Sequence, residues 1–323
     1  MAKPRVVVTR RWPMPVEARL AERFDTTLNT DDHRMGTAEL QDALRAADAL
    51  LPTVTDRISA EVLGAGPRRA RIIGSFGVGF NHIDLAAAKA AGLTVTNTPE
   101  VLTECTADIA MTLLLMIARR AGEGERLVRA KAWHGWGPTH MMGAKVTGKT
   151  LGLIGLGRIG RALAKRAHFG FDMSILFYDP LPPARAEIDA LGAERCGTID
   201  ELLARADFVS LHCPASKETH HLMNAERLAL MKPGAYLINS SRGDVVDEAA
   251  LAEALAGGVI AGAALDVFEA EPEVTEALLA LDNVVMFPHL GSASLETRVA
   301  MGMRVIDNLT AFFAGETPPD KVV

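Results

Sequence analysis

Apolar and polar positions alternate along this chain in two ways, as short apolar runs and as longer stretches with helical spacing. In the first hundred residues, the short runs predict buried strands at residues 6–8, 49–51, 72–73 and 94–96. Between them, alanine, leucine and charged residues at helical spacing predict helices at residues 16–24, 37–47 and 84–91. Such alternation is typical of a parallel sheet with helices on both faces.

A second alternation of strands and helices begins near residue 150. Its apolar runs predict strands at residues 151–154, 175–178, 208–211, 235–238, 259–263 and 284–286. The intervening stretches predict helices at residues 158–167, 184–191, 199–206, 225–231, 247–256 and 292–314. Six strands with intervening helices predict a complete doubly wound sheet.

The remaining segments indicate how the chain divides. A long helical run covers residues 100–121, and the weak periodicity of residues 133–144 predicts an ordered loop or arm. The last predicted helix follows the sixth strand of the second alternation, so it could return to the first domain. At roughly 150 residues per domain, the 323 residues predict two domains, which we place at residues 1–99 plus 290–323 and at residues 100–289.

Composition and charge exclude several classes of protein. Hydrophobic residues make up 49% of the chain and charged residues 23%, as in ordinary globular proteins. Lys and Arg number 34 and Asp and Glu number 40, so the net charge of −6 argues against nucleic acid or an anionic membrane as the main partner. The N-terminus lacks a leader pattern, and no apolar stretch reaches the ~20 residues of a membrane helix. The three cysteines are scattered, which is typical of a reducing compartment, so we expect a cytoplasmic protein. The spacing of His and Cys residues does not match a metal site, so we expect no metal.

A glycine-rich turn follows the first strand of the second alternation. Gly155, Gly157 and Gly160 form the pattern G-x-G-x-x-G between a predicted strand and a predicted helix. There the glycines allow a tight turn, close approach of a pyrophosphate and close helix–strand packing. Asp179 ends the next strand about 20 residues later, where a carboxylate binds the ribose diol of a dinucleotide. This context predicts NAD as cofactor, with NADP as the alternative, because the carboxylate repels a 2′-phosphate.

Residues 143–150 match a second phosphate-binding pattern, G-x-x-x-x-G-K-T. A working phosphate loop follows a strand and opens a helix. This segment instead follows an irregular stretch and leads into a predicted strand. We therefore reject a nucleoside-triphosphatase function.

Three side chains suited to carbonyl chemistry follow three strands of the second alternation. Arg242, Glu271 and His289 come after the strands predicted at residues 235–238, 259–263 and 284–286. Ligands of doubly wound sheets bind at the carboxyl ends of the strands, so these three side chains could face one cleft.

Reduction of a ketone requires a hydride at carbon and a proton at oxygen. We expect NADH to supply the hydride and His289 to supply the proton. Glu271 is expected to stabilise the protonated imidazole and to fix its orientation. Arg242 is expected to bind a substrate carboxylate and to polarise the carbonyl.

These motifs resemble those of the D-isomer-specific 2-hydroxyacid dehydrogenase family over nearly the whole chain. The matching stretches are GVGFNHID at 77–84, GLGRIG at 155–160, LHCP at 211–214, KPGAYLINSSRGDVVD at 232–247, ALDVFEAEP at 264–272 and PHLGSA at 288–293. The resemblance implies two doubly wound parallel-sheet α/β domains, a flavodoxin-like substrate domain and a Rossmann cofactor domain, with a cleft between them.

The resemblance also implies roles for single residues. Arg242, Glu271 and His289 are implied to be the catalytic triad. The residues implied to bind substrate are Val78, Gly79, Arg242, His289 and Ser292. The residues implied to bind NAD are Thr106, Gly155, Gly157, Arg158, Ile159, Gly160, Asp179, Cys213, Pro214, Thr219, Ser241, Asp266 and Gly291.

Within the family, residues 133–143 resemble the glyoxylate/hydroxypyruvate reductase branch, in which this arm crosses a dimer interface. The resemblance therefore implies a homodimer and a small 2-keto acid substrate. Glu271 separates the chain from formate dehydrogenases, which carry Gln there. Two features depart from the branch: His140 stands where some members have Trp, and many NADPH-dependent members lack the acidic residue found here at Asp179. Two alternatives stay open, a dehydrogenase of bulkier acids such as phenylpyruvate or lactate-like substrates, and a non-catalytic NADH-sensing protein.

Overall fold

The computed structural model describes residues 2–323 of the chain. The chain divides into two compact units. The first unit contains the residues up to Leu102 together with Ala293–Val323, and the second contains Thr103–Ser292. The first unit is therefore discontinuous in sequence.

Both units are built from parallel strands joined by helices. The strands are β1 (Arg5–Val8), β2 (Asp25–Leu28), β3 (Ala49–Leu51), β4 (Ile72–Gly74), β5 (Thr94–Thr96), β6 (Thr150–Ile154), β7 (Ser174–Tyr178), β8 (Ala193–Arg195), β9 (Phe208–Leu211), β10 (Tyr236–Asn239), β11 (Gly262–Leu265) and β12 (Val284–Met286). The α-helices are α1 (Met14–Arg23), α2 (Thr37–Ala46), α3 (Ala60–Leu63), α4 (Leu85–Ala90), α5 (Thr103–Ala118), α6 (Ala121–Arg129), α7 (Arg158–Phe171), α8 (Arg185–Asp189), α9 (Ile199–Arg205), α10 (Ala225–Leu230), α11 (Glu248–Ala256), α12 (Glu276–Leu279) and α13 (Leu295–Phe313). A short 3-10 helix covers Gly243–Val245.

The first unit contains a five-stranded parallel sheet in the order β2-β1-β3-β4-β5, the flavodoxin-like order. Apolar side chains of the central strands are fully buried and pack into one cluster on each face of the sheet. The last helix, α13, packs against α1 and β4. The C-terminal residues then pair with the edge strand β5. Lys321 forms an antiparallel β-bridge with Thr96, and the Val322 amide donates to the carbonyl of Val95.

The second unit contains a seven-stranded parallel sheet in the order β12-β11-β10-β9-β6-β7-β8. Its first six strands in chain order have the Rossmann arrangement, in which the order reverses between β6 and β9. Two apolar clusters cover its two faces. The predicted α/β class with two doubly wound parallel sheets is confirmed.

The structure corrects several predicted elements. The strands β2 and β8 were missed because their sequences, DTTL and AER, are largely polar, so the second sheet has seven strands rather than six. The strand predicted at residues 259–263 lies at Gly262–Leu265 instead, since Val259 donates to the carbonyl of Ala254 and closes α11. The helical run predicted at residues 100–121 is two helices, because Arg120 has φ 50° in the left-handed region and separates α5 from α6.

No helix within residues 2–323 is both long enough and apolar enough to span a lipid bilayer.

Candidate active site

The glycine-rich turn joins β6 to α7 where the strand order of the second sheet reverses. Gly155 has φ 98°, and a Cβ there would lie 2.8 Å from the carbonyl carbon of His212 at the end of β9. A Cβ at Gly160 would lie 2.4 Å from the carbonyl oxygen of Gly155. By contrast, a Cβ at Gly157 would meet no atom within 4 Å, so the backbone before α7 is open. Two glycines thus permit the turn itself, and the third leaves room for a phosphate beside Arg158 and Ile159 at the helix N-terminus.

Asp179 links the glycine-rich turn to the end of β7. Its carboxylate accepts hydrogen bonds from the amides of Leu156 and Leu181, each at 2.8 Å. A carboxylate has about four lone-pair directions, so it can accept further bonds from a ribose diol. The open backbone at Gly157 and this carboxylate together fit a dinucleotide cofactor.

The segment after β9 lies beside the glycine-rich turn. Burial lowers the pKa of His212 to about 4, so this imidazole is neutral at pH 7, and its Nε2 lies 2.9 Å from the Ser210 hydroxyl. Burial raises the pKa of the Cys213 thiol to about 11, so the thiol stays protonated. The hydroxyl of Thr219 donates to the Pro214 carbonyl at 2.7 Å, which closes the turn. These side chains shape the turn and carry no charge.

His289 and Glu271 form a hydrogen-bonded pair beyond the ends of β12 and β11. His289 Nδ1 lies 2.9 Å from Glu271 Oε2, and the amide of Phe268 donates to Glu271 Oε1 at 3.1 Å. Burial raises the pKa of Glu271, but the hydrogen bond and charge of His289 outweigh burial, so the pKa is lowered overall. The pair places a carboxylate against one edge of the imidazole and leaves the Nε2 edge directed away from it.

Asp266 fixes the backbone that carries His289. His289 has φ 55°, a left-handed conformation that costs a non-glycine residue about 1–2 kcal/mol. The buried carboxylate of Asp266 accepts from the amides of Leu290 at 2.6 Å and Gly291 at 2.8 Å. From α5, Thr106 donates its hydroxyl to the Gly291 carbonyl at 3.0 Å. Burial raises the pKa of Asp266, and the two amides act against this rise.

Arg242 follows β10 and is held close to the Glu271 loop. Asn239 donates from Nδ2 to the Arg242 carbonyl at 2.8 Å, and its Oδ1 accepts from the Ser241 amide and hydroxyl. The guanidinium donates to the Ser241 carbonyl at 2.6 Å. Burial lowers the pKa of Arg242, and the charges of Glu271 and Asp244 counteract it, so the group remains a cation.

Close packing joins the Arg242 and Glu271 loops. A Cβ at Gly243 would lie 1.9 Å from the carbonyl carbon of Phe268, so only glycine permits this contact. The buried Glu248, which begins α11, accepts from the Glu269 amide at 2.7 Å and from the Thr275 hydroxyl at 2.5 Å. Sequence reasoning missed Glu248, because its importance depends on which loop folds over α11.

Val78 and Gly79 lie in the first unit, after β4. The amide of Thr98 donates to the Gly77 carbonyl at 2.9 Å, and Asn97 Nδ2 donates to the Val78 carbonyl at 2.8 Å. Ser292 follows Gly291 at the end of the second unit and is half-buried. Of the predicted site residues, the structure therefore brings Arg242, Glu271, His289, Asp266, Thr106 and Gly291 into one network of loops.

The second phosphate-binding pattern has a structural explanation. A Cβ at Gly143 would lie 2.3 Å from the carbonyl oxygen of Ala118, to which the Ala144 amide donates at 2.7 Å. Gly143 thus packs against the end of α5, and Lys149 leads into β6 rather than a helix. Within residues 2–323, no three His, Cys, Asp or Glu side chains are grouped as metal ligands.

Comparison with known proteins places this geometry among 2-hydroxyacid dehydrogenases. The family model for "D-isomer specific 2-hydroxyacid dehydrogenase, NAD binding domain" matches residues 111–291. The chain is 45% identical over 324 residues to the glyoxylate reductase of Thermococcus onnurineus strain NA1, covering 99% of this chain and 96% of that protein. It is 46% identical over 322 residues to the glyoxylate reductase of Korarchaeum cryptofilum strain OPF8, with 99% and 96% covered.

A solved structure shows the same similarity in three dimensions. It is the NADPH-dependent glyoxylate/hydroxypyruvate reductase from Sinorhizobium meliloti in complex with NADP and malonate. The TM-score is 0.88 at 37% identity, over 100% of this chain and 97% of that chain.

Proposed function

Because this chain belongs to the D-isomer specific 2-hydroxyacid dehydrogenase family, we propose that it reduces small 2-keto acids of the glyoxylate and hydroxypyruvate type to 2-hydroxy acids, with NADH preferred. The observation that carries this proposal is the 2.9 Å hydrogen bond between His289 and Glu271 beside the half-buried Arg242. An acid, its orienting carboxylate and a fixed cation are the groups that reduction of a 2-keto acid requires.

His289 donates the proton to the carbonyl oxygen of the substrate. Its Nδ1 is engaged with Glu271, so Nε2 is the atom that can face the substrate. The Glu271 carboxylate, whose lowered pKa keeps it charged at neutral pH, stabilises the protonated imidazole. The Asp266 hydrogen bonds hold the His289 backbone, so the ring needs little reorganisation during the reaction.

Arg242 binds the substrate carboxylate and polarises the carbonyl. A guanidinium is suited to this task because it stays charged and its planar donors match a carboxylate. In the second unit, Ser292 adds a hydroxyl. In the first unit, the loop at Val78 and Gly79 offers backbone amides, which are neutral donors of the kind that bind a carboxylate. The Arg242 cation favours acids over simple ketones.

The residues that would hold a dinucleotide are the glycine-rich turn, Asp179, Pro214 and the loop at Gly291. Bound NAD(P)H supplies the hydride for the substrate carbon. The Asp179 carboxylate disfavours a 2′-phosphate by charge repulsion, which supports a preference for NADH even though the Sinorhizobium meliloti relative is named as NADPH-dependent. The neutral His212 and protonated Cys213 would add no charge next to a dinucleotide bound at this turn.

We also propose that the protein is a homodimer of the cytoplasm. The arm at residues 133–143 has no helix or strand and leaves Trp136 84% and Met142 67% exposed. Large apolar side chains exposed on one segment support an interface at the arm. The cysteines Cys105, Cys196 and Cys213 are all free thiols, as expected in a reducing compartment.

The first test compares initial rates with glyoxylate, hydroxypyruvate, pyruvate and phenylpyruvate, using NADH and NADPH in parallel. We expect the highest kcat/KM with the first two acids, and at least a tenfold preference for NADH, equivalent to about 1.4 kcal/mol. A preference for phenylpyruvate would assign the chain to dehydrogenases of bulkier acids and direct attention to His140 in the arm. NADH binding without turnover of any acid would contradict the enzymatic function and favour an NADH-sensing protein.

A further inference from the structure

Three loops follow neighbouring strands of the second sheet: the β9 loop (residues 212–224), the β10 loop (residues 240–247) and the β11 loop (residues 266–275). Backbone hydrogen bonds join the first two of them. The His221 amide donates to the Asp244 carbonyl at 2.8 Å, and the Met223 amide donates to the Val245 carbonyl at 3.0 Å. The loop proposed to face the dinucleotide is therefore paired with the loop that carries Arg242.

A histidine and a carboxylate join the β9 loop to the β11 loop. His221 Nε2 lies 2.8 Å from Glu269 Oε1, and the two side chains are 36% and 33% exposed. A carboxylate only accepts hydrogen bonds, so the proton of this bond belongs to Nε2. The other ring nitrogen, Nδ1, lies 3.8 Å from Asp247 Oδ2. The imidazole thus lies between two carboxylates and donates to the one on the β11 loop.

The backbone of His221 is held in an unusual conformation. Its φ of 47° lies in the left-handed region, which a non-glycine residue seldom adopts. Such a conformation persists where the surrounding contacts determine it, and it is concentrated at functional sites. Here the amide bond to Asp244 and the ring bond to Glu269 act on the same residue. Both contacts are directed at loops of the candidate active site.

Glu269 also binds the start of α11. Its Oε1 accepts from the Glu248 amide at 3.2 Å, while Glu248 Oε1 accepts from the Glu269 amide at 2.7 Å. The two residues therefore hold each other reciprocally, through one side chain and one amide each. Because Glu269 is held by its carboxylate and by its amide, the peptide that joins it to Phe268 is fixed as well.

The fixed peptide lies next to the group that orients Glu271. The Phe268 amide donates to Glu271 Oε1 at 3.1 Å, and Glu271 Oε2 lies 2.9 Å from His289 Nδ1. A rotation of the β11 loop at Phe268 would move this donor and change the distance from the carboxylate to the imidazole. A continuous series of contacts therefore connects His221, through Glu269, to the Glu271–His289 pair.

We infer that Glu269 and His221 are positioning residues for proton transfer, which hold the Glu271 carboxylate against the imidazole of His289. This inference rests on the proposed function. Both residues act through Glu271 and not on the substrate. They also connect the loop proposed to face the dinucleotide to the loop that orients the proton donor.

The test begins with Glu269→Ala, which removes the acceptor for His221. We expect kcat for NADH-dependent reduction of glyoxylate to fall about tenfold, the factor that corresponds to one hydrogen bond to a charged group. The alkaline limb of the pH–rate profile should move to lower pH, because a displaced Glu271 stabilises the protonated imidazole less well. KM for glyoxylate and NADH affinity should change less than about twofold, since neither Arg242 nor the glycine-rich turn is altered.

The decisive comparison repeats the substitution in the Glu271→Gln background. Residues that act as a unit are not additive when they are replaced together. If Glu269 acts through Glu271, then adding Glu269→Ala to Glu271→Gln should lower kcat by less than about twofold more. General damage to the fold would instead lower kcat by the same factor in both backgrounds.

Two further variants make the result interpretable. Glu269→Gln keeps an oxygen acceptor at the same place, so it should restore most of the activity that Glu269→Ala loses. His221→Asn removes the imidazole but leaves a residue type that tolerates a left-handed backbone. It should lower kcat about tenfold as well, and it covers the case in which Glu269→Ala does not fold.

The matched control is Glu39→Ala in the first unit. Like Glu269, Glu39 accepts from a histidine Nε2, that of His33 at 2.8 Å, and from a backbone amide near the start of a helix, that of Gly36 at 2.8 Å. The control should keep the kcat and the pH–rate profile of the wild type.

The outcomes separate this inference from the proposed function. A wild-type enzyme that reduces glyoxylate, together with Glu269→Ala and His221→Asn variants whose kcat stays within about twofold of wild type, would overturn the positioning role alone. Equal losses from Glu269→Ala with and without Glu271→Gln would also overturn it, as would an unchanged alkaline limb. A wild-type protein that turns over no 2-keto acid would overturn the proposed function itself.

Discussion

At the residue scale, the site depends on side chains whose main task is to hold other groups. Asp266 holds the backbone of Leu290 and Gly291, and thereby keeps His289 in a left-handed conformation. The sequence predicts His289, Glu271 and Arg242 because each follows a strand and has suitable chemistry. It does not predict Glu248, because the importance of this residue lies in which loop groups it reaches after folding.

The pairing of Glu271 with His289 leads to a prediction on pH dependence. The pKa of Glu271 is lowered, so its charge and the stabilisation it provides persist above the ordinary glutamate pKa of about 4.3 and are lost as the pH falls through the lowered value. In Glu271→Gln the protonated imidazole loses its carboxylate. We expect kcat for reduction to fall about 10- to 100-fold, and the alkaline limb of the pH–rate profile to move to lower pH.

Initial rates between about pH 5 and 9 measure both effects. Glu248→Gln serves as the comparison, since it changes a carboxylate that contacts the loop but not the imidazole. A Glu271→Gln profile that coincides with that of the wild type would show that the carboxylate does not act through His289.

At the element scale, the three glycines of the turn between β6 and α7 have different roles. Gly155 and Gly160 are required by the fold, since a Cβ at either position would collide with backbone. Gly157 has open space around it and an ordinary φ of −67°, so the fold alone does not require glycine there. The space beside Gly157 is therefore open to a ligand, as the proposed function requires.

These different roles predict that one alanine substitution affects mainly stability and the other mainly NADH binding. Gly155→Ala should destabilise the protein by about 1–3 kcal/mol, because it combines a positive φ with a backbone collision, and Tm should fall by roughly 2–4 °C per kcal/mol. Gly157 is the N-cap of α7, where alanine is less favourable than glycine, so Gly157→Ala should cost at most about 1 kcal/mol and Tm should fall much less than in Gly155→Ala. It should nevertheless weaken NADH binding at least tenfold, measured by the change in NADH fluorescence on titration. Normal NADH affinity in Gly157→Ala would contradict the position assigned to the pyrophosphate.

Elements with strong apolar runs are the ones that sequence patterns predict. Buried strands such as β1, β3, β6 and β9 have fully buried side chains, and each lies within a residue of its predicted position. The edge strands β2 and β8 are exposed on one or both faces and carry no such run. The predicted boundary of β11 was wrong, because the residues that close α11 are as apolar as those that begin the strand.

At the scale of the whole molecule, the alternation of strands and helices predicts two doubly wound sheets, and the structure and relatives confirm this class. The order of strands within each sheet is not contained in the alternation, since it depends on long-range pairing. The route of the C-terminal segment along β5 is likewise visible only after folding. The periodicity of apolar residues does not identify a family. The sequence motifs indicate the D-isomer-specific 2-hydroxyacid dehydrogenases, and the relatives confirm this family.

The proposed function depends most on His289 as the proton donor in the reduction of a 2-keto acid. The most direct test measures NADH-dependent reduction of glyoxylate by His289→Asn, together with NADH affinity of the same variant. His33→Asn is the matched control, because His33 also pairs with carboxylates, Asp31 and Glu39, but lies exposed in the first unit. We predict that His289→Asn loses about 10²- to 10⁴-fold in kcat with unchanged NADH affinity, whereas His33→Asn keeps wild-type activity. Reduction of glyoxylate by His289→Asn at more than a tenth of the wild-type rate would contradict the claim.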